Sequence, residues 1–193
     1  LSNIGLPREL PPDPMAILRR WYDEAMEAKR VPDPEAMVLS TAGVDGPSGR
    51  VVLCKKLEAT GCLVFFTNYQ SRKGREALGS GRASAVFHWA HDGRQARVEG
   101  VVEKSPAAES DEYFASRPLL SRLGAWASHQ SEPMSGRAQL ISQVMEEARR
   151  FGVGVQHLVN AVPIEIPRPE HWGGVRLWAE RVELWQSVQG RLH

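Results

Sequence analysis

Hydrophobic residues near the start of the chain recur at helical spacing. Asp13 and Pro14 form a helix start, because an aspartate can cap backbone N–H groups and proline fits the first helical position. The apolar stripe that follows consists of Ile17, Leu18, Trp21, Tyr22, Ala25 and Met26. We predict an amphipathic helix that ends near Arg30, preceded by an arm over residues 1–12 that is rich in proline and polar residues.

The pattern then changes to short runs of β type. We predict strands over residues 36–41, 50–56, 63–67, 83–89 and 95–104. Turn residues separate several of them, at Asp45-Gly46-Pro47, Thr60-Gly61 and Asp92-Gly93. A meander of short strands needs closure or cover, which favours a small β-barrel.

Helical spacing returns between and after these strands. Short helices are predicted from Ser71 to about Leu78, over 107–116 and over 137–151. The last of these places five apolar residues on one face: Leu140, Ile141, Val144, Met145 and Ala148. Residues 152–166 follow neither period and are predicted to form a loop, whereas 175–178 and 181–185 are predicted as strands. The elements indicate an α+β, mainly β, single domain over 13–193.

Composition and charge narrow the classes of function. The chain has 193 residues and a formal net charge of +1, and it contains no run of eighteen apolar residues. These properties favour one domain without a membrane span, and partners that are small anions rather than nucleic acid. Cys54 and Cys62 are too few for a disulfide framework and lack metal-ligand spacing, so a reducing cytoplasm is the simplest location. Leu1 is not a start methionine and no signal peptide opens the chain, so upstream residues are expected.

Two basic segments are candidate anion sites. Arg50 and Lys55 flank an apolar strand, whose alternation would place them on opposite faces, and two solvated strand ends are the alternative. Ser71 caps a helix whose first turn contains Arg72 and Lys73. Two cations there are unfavourable beside the positive end of the helix dipole unless an anion balances them. This segment therefore predicts a phosphate site, with an exposed basic turn as the alternative.

A third candidate combines a phenol, a guanidinium and a hydroxyl. Tyr113, Arg117 and Ser121 recur at four-residue intervals and would meet if the backbone stays near-helical past Pro118. Such groups suit a second phosphate, although a helix-surface trio without a ligand fits the spacing equally well.

In this order, the segments resemble the pyridoxamine 5'-phosphate oxidase family, from about Asp13 to His193. The motifs that carry the resemblance are Arg50-Val-Val-Leu-Cys-Lys55, Phe66-Thr67, Ser71-Arg-Lys-Gly74, Arg94-Gln95, Tyr113-Phe-Ala-Ser-Arg-Pro118, Gly124-Ala-Trp-Ala-Ser-His-Gln-Ser131, His171-Trp-Gly-Gly174, Glu183-Leu-Trp185 and Arg191-Leu-His193. One such motif is weak evidence, but nine in the same order are specific.

The resemblance implies an FMN-binding split β-barrel that pairs into a homodimer, with each flavin at the subunit interface. The residues that it implies for FMN binding are Arg50, Val51, Val52, Leu53, Cys54, Lys55, Phe66, Thr67, Arg72, Lys73, Gln95, Gln130, Ser131 and Trp185. It also implies that Cys54 is inert filling of a strand.

The same resemblance implies a substrate site and a reaction. The residues implied for the substrate phosphate are Lys55, Tyr113, Arg117 and Ser121, and Arg191 and His193 are implied over the substrate ring as the catalytic pair. Pyridoxamine or pyridoxine 5'-phosphate would give a hydride to flavin N5, yielding pyridoxal 5'-phosphate, and O2 would be reduced to H2O2. The family's usual continuation after the Arg-Leu-His motif contains an aspartate, another FMN-contacting arginine and a final strand, so a full site is expected to need residues beyond His193.

Two alternatives remain open at this stage. A split-barrel flavin oxidase of the phenazine-biosynthesis type would share the barrel and much of the FMN set, but Tyr113, Arg117, Ser121, Arg191 and His193 together favour the vitamin B6 oxidases. A non-catalytic protein that binds flavin or pyridoxal phosphate is the other.

Overall fold

The protein is described by a computed structural model that covers residues 6–7, 9, 11–159 and 162–187. Within these ranges the helices are α1 (Met15–Ala28), α2 (Arg72–Ser80), α3 (Ala107–Ser116), α4 (Leu119–Ala127), α5 (Arg137–Arg150) and α6 (Val155–Val159). The strands are β1 (Ala36–Gly43), β2 (Gly46–Leu53), β3 (Lys56–Leu57), β4 (Cys62–Asn68), β5 (Arg82–Trp89), β6 (Arg94–Lys104) and β7 (Trp172–Gln186).

Among the described residues, the seven strands form one sheet in the order β2-β1-β5-β6-β7-β4-β3. The pairs β1–β2, β1–β5, β5–β6 and β3–β4 are antiparallel. The α+β, mainly β class predicted from the sequence is therefore confirmed. By its internal contacts the chain divides into two compact units, one with the residues up to Phe65, Glu76–Glu103 and the residues from Val175 on, and one with Phe66–Arg75 and Lys104–Gly174. The single-domain organisation stays a prediction.

The first unit buries the apolar stripe of α1, as its spacing predicts. Asp13 caps the helix start, since its Oδ1 accepts the backbone N–H of Met15 at 2.9 Å. Burial of large side chains here supplies the main stabilisation, about 1.5–3 kcal/mol for each. The fully buried side chains of this unit include Leu18, Trp21, Met37, Leu39, Leu63, Phe87, Val98 and Leu177.

Two strand predictions in this unit were wrong in their bounds. The second strand begins at Gly46 rather than at Arg50 and ends at Leu53, because Val44 and Asp45 alone form the hairpin turn. The two predicted C-terminal strands are one strand of 15 residues, β7. It continues through Ala179 because the backbone N–H of that residue donates to Gly61 O at 2.9 Å.

The second unit is built around a cluster of buried side chains on α3, α4 and the chain that follows α6. Its buried members are Phe114, Leu123, Ala125, Ile166 and Trp172. Helix α4 lies where the sequence predicts no regular element, and α6 lies inside the predicted 152–166 loop, so the loop prediction was wrong for Val155–Val159. Among the described residues, no helix is both long enough and apolar enough to cross a lipid bilayer.

Candidate functional site

The N-terminus of α2 is a tightly closed turn. The Ser71 hydroxyl donates to Asn68 O at 2.6 Å and accepts the backbone N–H of Gly74 at 3.3 Å, so Ser71 caps the helix as its sequence predicts. A side chain at Gly74 would not fit, because its Cβ would lie 2.5 Å from Tyr69 O. The turn therefore holds the first backbone N–H groups of α2 in one fixed direction.

A second segment of the same unit meets this helix start. The Ser131 hydroxyl accepts the backbone N–H of Arg72 at 3.1 Å, and Gln130 Oε1 accepts a hydrogen bond from Lys73 Nζ at 2.8 Å. Lys73 Nζ also lies 3.3 Å from Ser71 Oγ. The structure thus brings together four predicted FMN residues that come from two segments almost sixty positions apart in the chain: Arg72, Lys73, Gln130 and Ser131.

The end of β4 adds an unsatisfied hydroxyl to this unit. Thr67 is buried, and its Oγ1 has no hydrogen-bond partner among the described residues. A buried hydroxyl without a partner is costly, so we expect a water molecule or a ligand to supply the missing hydrogen bond. Its neighbour Phe66 stacks on Tyr113, with ring centroids 3.8 Å apart.

Tyr113 and Arg117 lie beside one aromatic wall. The Arg117 guanidinium stacks over the Trp172 ring at 4.4 Å, and its Nη1 is buried without a hydrogen-bond partner in the described part of the chain. Burial lowers the pKa of Arg117, and the nearby Tyr113 only partly opposes this. Arg117 as a whole is half-buried, so its guanidinium suits an anionic ligand although Nη1 itself is closed to solvent.

The predicted spacing requires Ser121 to continue the same helical backbone as Tyr113 and Arg117. In the structure it does not. The backbone is extended at Arg117 (ψ 149°) and Pro118 (ψ 144°), and α4 begins only afterwards. The physical reason is that proline disfavours a helical conformation in the residue before it. Ser121 lies in the first turn of α4, where its backbone N–H donates to Pro118 O at 2.9 Å.

In the first unit, Arg50 on β2 lies within a polar network. Its Nη1 donates to Thr41 Oγ1 at 2.6 Å and to Leu39 O at 3.2 Å, and its Nη2 donates to Ser48 Oγ. The side chain is about one-fifth exposed and forms an ion pair with Glu76 at 3.6 Å. The guanidinium is therefore held in place by four groups of the chain.

Lys55 lies after the end of β2. The prediction that Arg50 and Lys55 point to opposite faces of one strand therefore does not apply. Lys55 Nζ pairs with Glu35 Oε1 at 2.8 Å. Burial would raise the pKa of Glu35, but the hydrogen bond from Lys55, a backbone hydrogen bond and the Lys55 charge outweigh it and lower that pKa. A counter-ion is thus already present at this predicted phosphate ligand.

The remaining residues of that motif differ in exposure. Val51 is exposed, Leu53 is half-buried, and Val52 and Cys54 are buried. Burial raises the pKa of the Cys54 thiol to about 12, which keeps it protonated at neutral pH and agrees with the inert role predicted for it.

Gln95 and Trp185 are both half-buried, on β6 and β7 respectively, and Gln95 pairs with His88 in the ladder. The predicted catalytic residues Arg191 and His193 lie outside the described residues.

Sequence reasoning missed three residues that hold predicted ligands in place. Trp172 stacks under Arg117, Glu35 pairs with Lys55 and Glu76 pairs with Arg50. Trp172 had a signal, since it stands beside two glycines, Gly173 and Gly174, that indicate close packing. No sequence signal pointed to the two glutamates, because each is separated from its partner by about twenty residues or more along the chain.

Comparison with known proteins gives a consistent set of relatives. A family model described as pyridoxamine 5'-phosphate oxidase matches residues 23–151. The pyridoxine/pyridoxamine 5'-phosphate oxidase of Cupriavidus metallidurans is 48% identical over 186 residues, covering 96% of this chain and 82% of that protein. The protein of the same description from Burkholderia lata is 47% identical over 182 residues, covering 94% and 79%.

Solved structures extend the comparison. PhzG from Burkholderia lata, in complex with tetrahydrophenazine-1-carboxylic acid, superimposes with a TM-score of 0.79 at 31% identity, covering 98% of this chain and 91% of that one. An FMN-binding protein related to pyridoxamine 5'-phosphate oxidase, from Nostoc punctiforme, has a TM-score of 0.63 at 14% identity, covering 92% and 86%. At that identity the second likeness concerns the fold alone. Together they confirm the split β-barrel with flanking helices that the sequence predicts.

Proposed function

Because the chain belongs to the pyridoxamine 5'-phosphate oxidase family, we propose that it converts pyridoxamine or pyridoxine 5'-phosphate to pyridoxal 5'-phosphate with FMN as cofactor. The observation that carries the proposal is the meeting of Arg72 and Lys73 with Gln130 and Ser131 at the start of α2. These are residues that the family resemblance assigns to the flavin.

The start of α2 has the donor set that a flavin phosphate needs. The helix dipole and the positive charges of Arg72 and Lys73 all favour an anion at this helix start, so a dianionic phosphate would bind there favourably. The buried Thr67 hydroxyl adds a donor without a partner among the described residues. Arg72, Lys73, Ser131 and Thr67 would therefore hold FMN, with Gln130 orienting Lys73.

Bound FMN would supply the redox chemistry, accepting a hydride from the substrate with O2 as the final acceptor and H2O2 as its product. The protein's task is to bind and orient the substrate. The Arg117 guanidinium would bind the substrate phosphate, and Tyr113 would add a donor to it. For Ser121 and Lys55 the same role rests on the family resemblance alone. Arg191 and His193, outside the described residues, would lie over the substrate ring, as the family resemblance implies.

We further propose that the chain forms a homodimer in the cytoplasm. One face of the sheet presents apolar residues to solvent, with Val51 65% and Val38 41% exposed, and these two residues are directly paired across β2 and β1. Soluble monomers rarely leave such rows uncovered. Cys54 and Cys62 are buried without a disulfide, as a reducing compartment allows.

A second candidate is an oxidase that acts on a reduced phenazine. The likeness to PhzG covers nearly the whole chain at 31% identity, so the shared fold does not choose between the two substrate classes. A guanidinium suits a phosphate ester and a carboxylate alike, so Tyr113 and Arg117 favour the first candidate only through the family resemblance.

The test is to load the purified protein with FMN and measure H2O2 and product with three substrates separately. These are pyridoxamine 5'-phosphate, pyridoxine 5'-phosphate and tetrahydrophenazine-1-carboxylic acid. We expect turnover with a phosphorylated pyridine. Turnover with the phenazine alone would replace the proposal by the second candidate, and flavin binding without any turnover would indicate a binding protein.

A further inference from the structure

Among the described residues, the polar network around Arg50 has a single acidic centre, Glu76. Its Oε2 accepts the Thr41 hydroxyl at 2.6 Å and the Ser48 hydroxyl at 3.0 Å, and lies 3.6 Å from Arg50 Nη2. The Glu76 side chain is only 9% exposed. At Gly43 an added Cβ would lie 3.0 Å from Glu76 Cγ, so the carboxylate stem packs against bare backbone of β1.

The direction of each hydrogen bond in this network follows from chemistry. Arg50 has donors and no acceptor, so the hydroxyl oxygens of Thr41 and Ser48 must accept from it. Each hydroxyl donates its own proton in a second hydrogen bond, and Glu76 Oε2 accepts both of these hydrogen bonds. The carboxylate thereby turns the oxygen lone pairs of the two hydroxyls toward the guanidinium.

We propose that Glu76 is a positioning residue that fixes the orientation of Arg50 for FMN through Thr41 and Ser48. The inference rests on the proposed function and on the family resemblance, which assigns Arg50 to the flavin. Nothing in the family resemblance assigns a role to Glu76.

The charge of Glu76 and its geometry act on FMN affinity in opposite directions. A carboxylate near Arg50 reduces the attraction of the guanidinium for a phosphate, whereas a fixed orientation increases affinity by lowering the entropy lost on binding. The Arg50–Glu76 distance of 3.6 Å exceeds the roughly 2.7–2.9 Å of a charge-assisted hydrogen bond. Because the hydroxyl contacts are the short ones, we expect orientation to outweigh charge.

Glutamine at this position separates the two effects. Glu76→Gln keeps an oxygen acceptor for the two hydroxyls and removes the charge, whereas Glu76→Ala removes both. If Glu76 acts by orientation, FMN affinity falls about tenfold in the alanine variant and stays within about threefold in the glutamine variant. Glu146→Ala, which removes an exposed carboxylate of α5, is the matched control and should leave affinity unchanged.

A double-mutant cycle tests whether Glu76 acts through Arg50. FMN dissociation constants are measured by quenching of flavin fluorescence for wild type, Arg50→Ala, Glu76→Ala and the double variant, with thermal unfolding followed in parallel. We expect Arg50→Ala to weaken FMN about tenfold or more, and the double variant to be no weaker than Arg50→Ala. Equal effects of Glu76→Ala in both backgrounds, or no effect in either, would overturn the inference.

Failure of the proposed function gives a different result. If wild type binds no FMN, or if Arg50→Ala binds it as tightly as wild type, the assignment of Arg50 to the flavin is wrong, and Glu76 then has no ligand to position. If Glu76→Ala does not fold, Ser48→Ala removes one bridging hydroxyl instead. That variant should weaken FMN about threefold in the wild-type background and not in the Arg50→Ala background, and equal weakening in both would count against the network.

Discussion

At the scale of single residues, the start of α2 gives the most specific prediction, which concerns Arg72 and FMN binding. Arg72→Ala should raise the Kd for FMN by about 10- to 150-fold, because a hydrogen bond to a charged group contributes roughly 1.5–3 kcal/mol. The Kd of each variant is measured by titrating the apoprotein with FMN. Arg149→Ala, at the exposed end of α5, is the control for loss of one positive charge. Equal Kd values for wild type and Arg72→Ala would remove Arg72 from the cofactor site.

Arg117 should separate stability from function. Its Nη1 is buried without a hydrogen bond to described residues, so the folded protein bears a desolvation cost that a ligand would relieve. Arg117→Met keeps the stem over Trp172 and removes that cost. We expect an unfolding temperature that is unchanged or raised, an unchanged Kd for FMN and a KM for the phosphorylated substrate raised at least about tenfold.

The opposite pattern would contradict this role. A lower unfolding temperature with an unchanged KM would show that Arg117 supports the fold rather than the substrate. Arg168→Met serves as the control, since that guanidinium is already satisfied by Asp111 at 2.7 Å and by Trp172 O at 2.6 Å.

Sequence reasoning reached some of these residues and not others, for local reasons. The Ser71 cap and the two cations after it are adjacent in sequence, so the helix start could be predicted from charge and capping alone. Gln130 and Ser131 entered the predicted set only through family resemblance, because no local pattern links them to Arg72. The spacing of Tyr113, Arg117 and Ser121 misled because Pro118 interrupts the helix.

At the scale of elements, the start of β7 depends on the absence of a side chain. A Cβ at Gly173 would lie 2.2 Å from Tyr69 Oη and 2.9 Å from Ser110 Oγ. Gly173→Ala should therefore lower the free energy of unfolding by about 1–3 kcal/mol, the usual cost of overpacking. Denaturant unfolding measures it.

The control for this change is a glycine of the same unit with open space around it. Gly124 lies in α4, and an added Cβ meets nothing within 4 Å. Gly124→Ala should raise stability by roughly 0.5–1 kcal/mol, because alanine favours the helix. Destabilisation by both variants to the same extent would mean that the close approach at Gly173 is relieved by small shifts.

Most elements were predicted well, and a few were not. Eight were placed within about two residues, namely helices α1, α2, α3 and α5 and strands β1, β4, β5 and β6. Helix α4 was missed because Gly124 and the polar residues after it favour a loop by composition. The split in β7 was predicted because Ala179 and Glu180 interrupt the apolar pattern, whereas backbone hydrogen bonds decide where a strand ends.

At the scale of the whole molecule, the uncovered sheet face is the feature that a single chain leaves unexplained. Val51 on β2 pairs with Val38 on β1, which pairs in turn with Val86 on β5. Residues one position along the same strands, such as Leu39 and Val52, are buried on the other face. Because both faces are apolar at these positions, one face packs into the core of the unit and the other is the surface that we propose a second copy covers.

Val51→Glu should therefore dissociate the proposed homodimer. A carboxylate buried without a partner at a symmetric interface costs about 3 kcal/mol or more, which corresponds to a dissociation constant raised more than a hundredfold. Light scattering coupled to size-exclusion chromatography measures the mass of each variant. Val44→Glu is the control, because Val44 is fully exposed in the β1–β2 turn and lies outside the paired row. If the wild type is a monomer, or if Val51→Glu stays dimeric, this face of the sheet does not join two subunits.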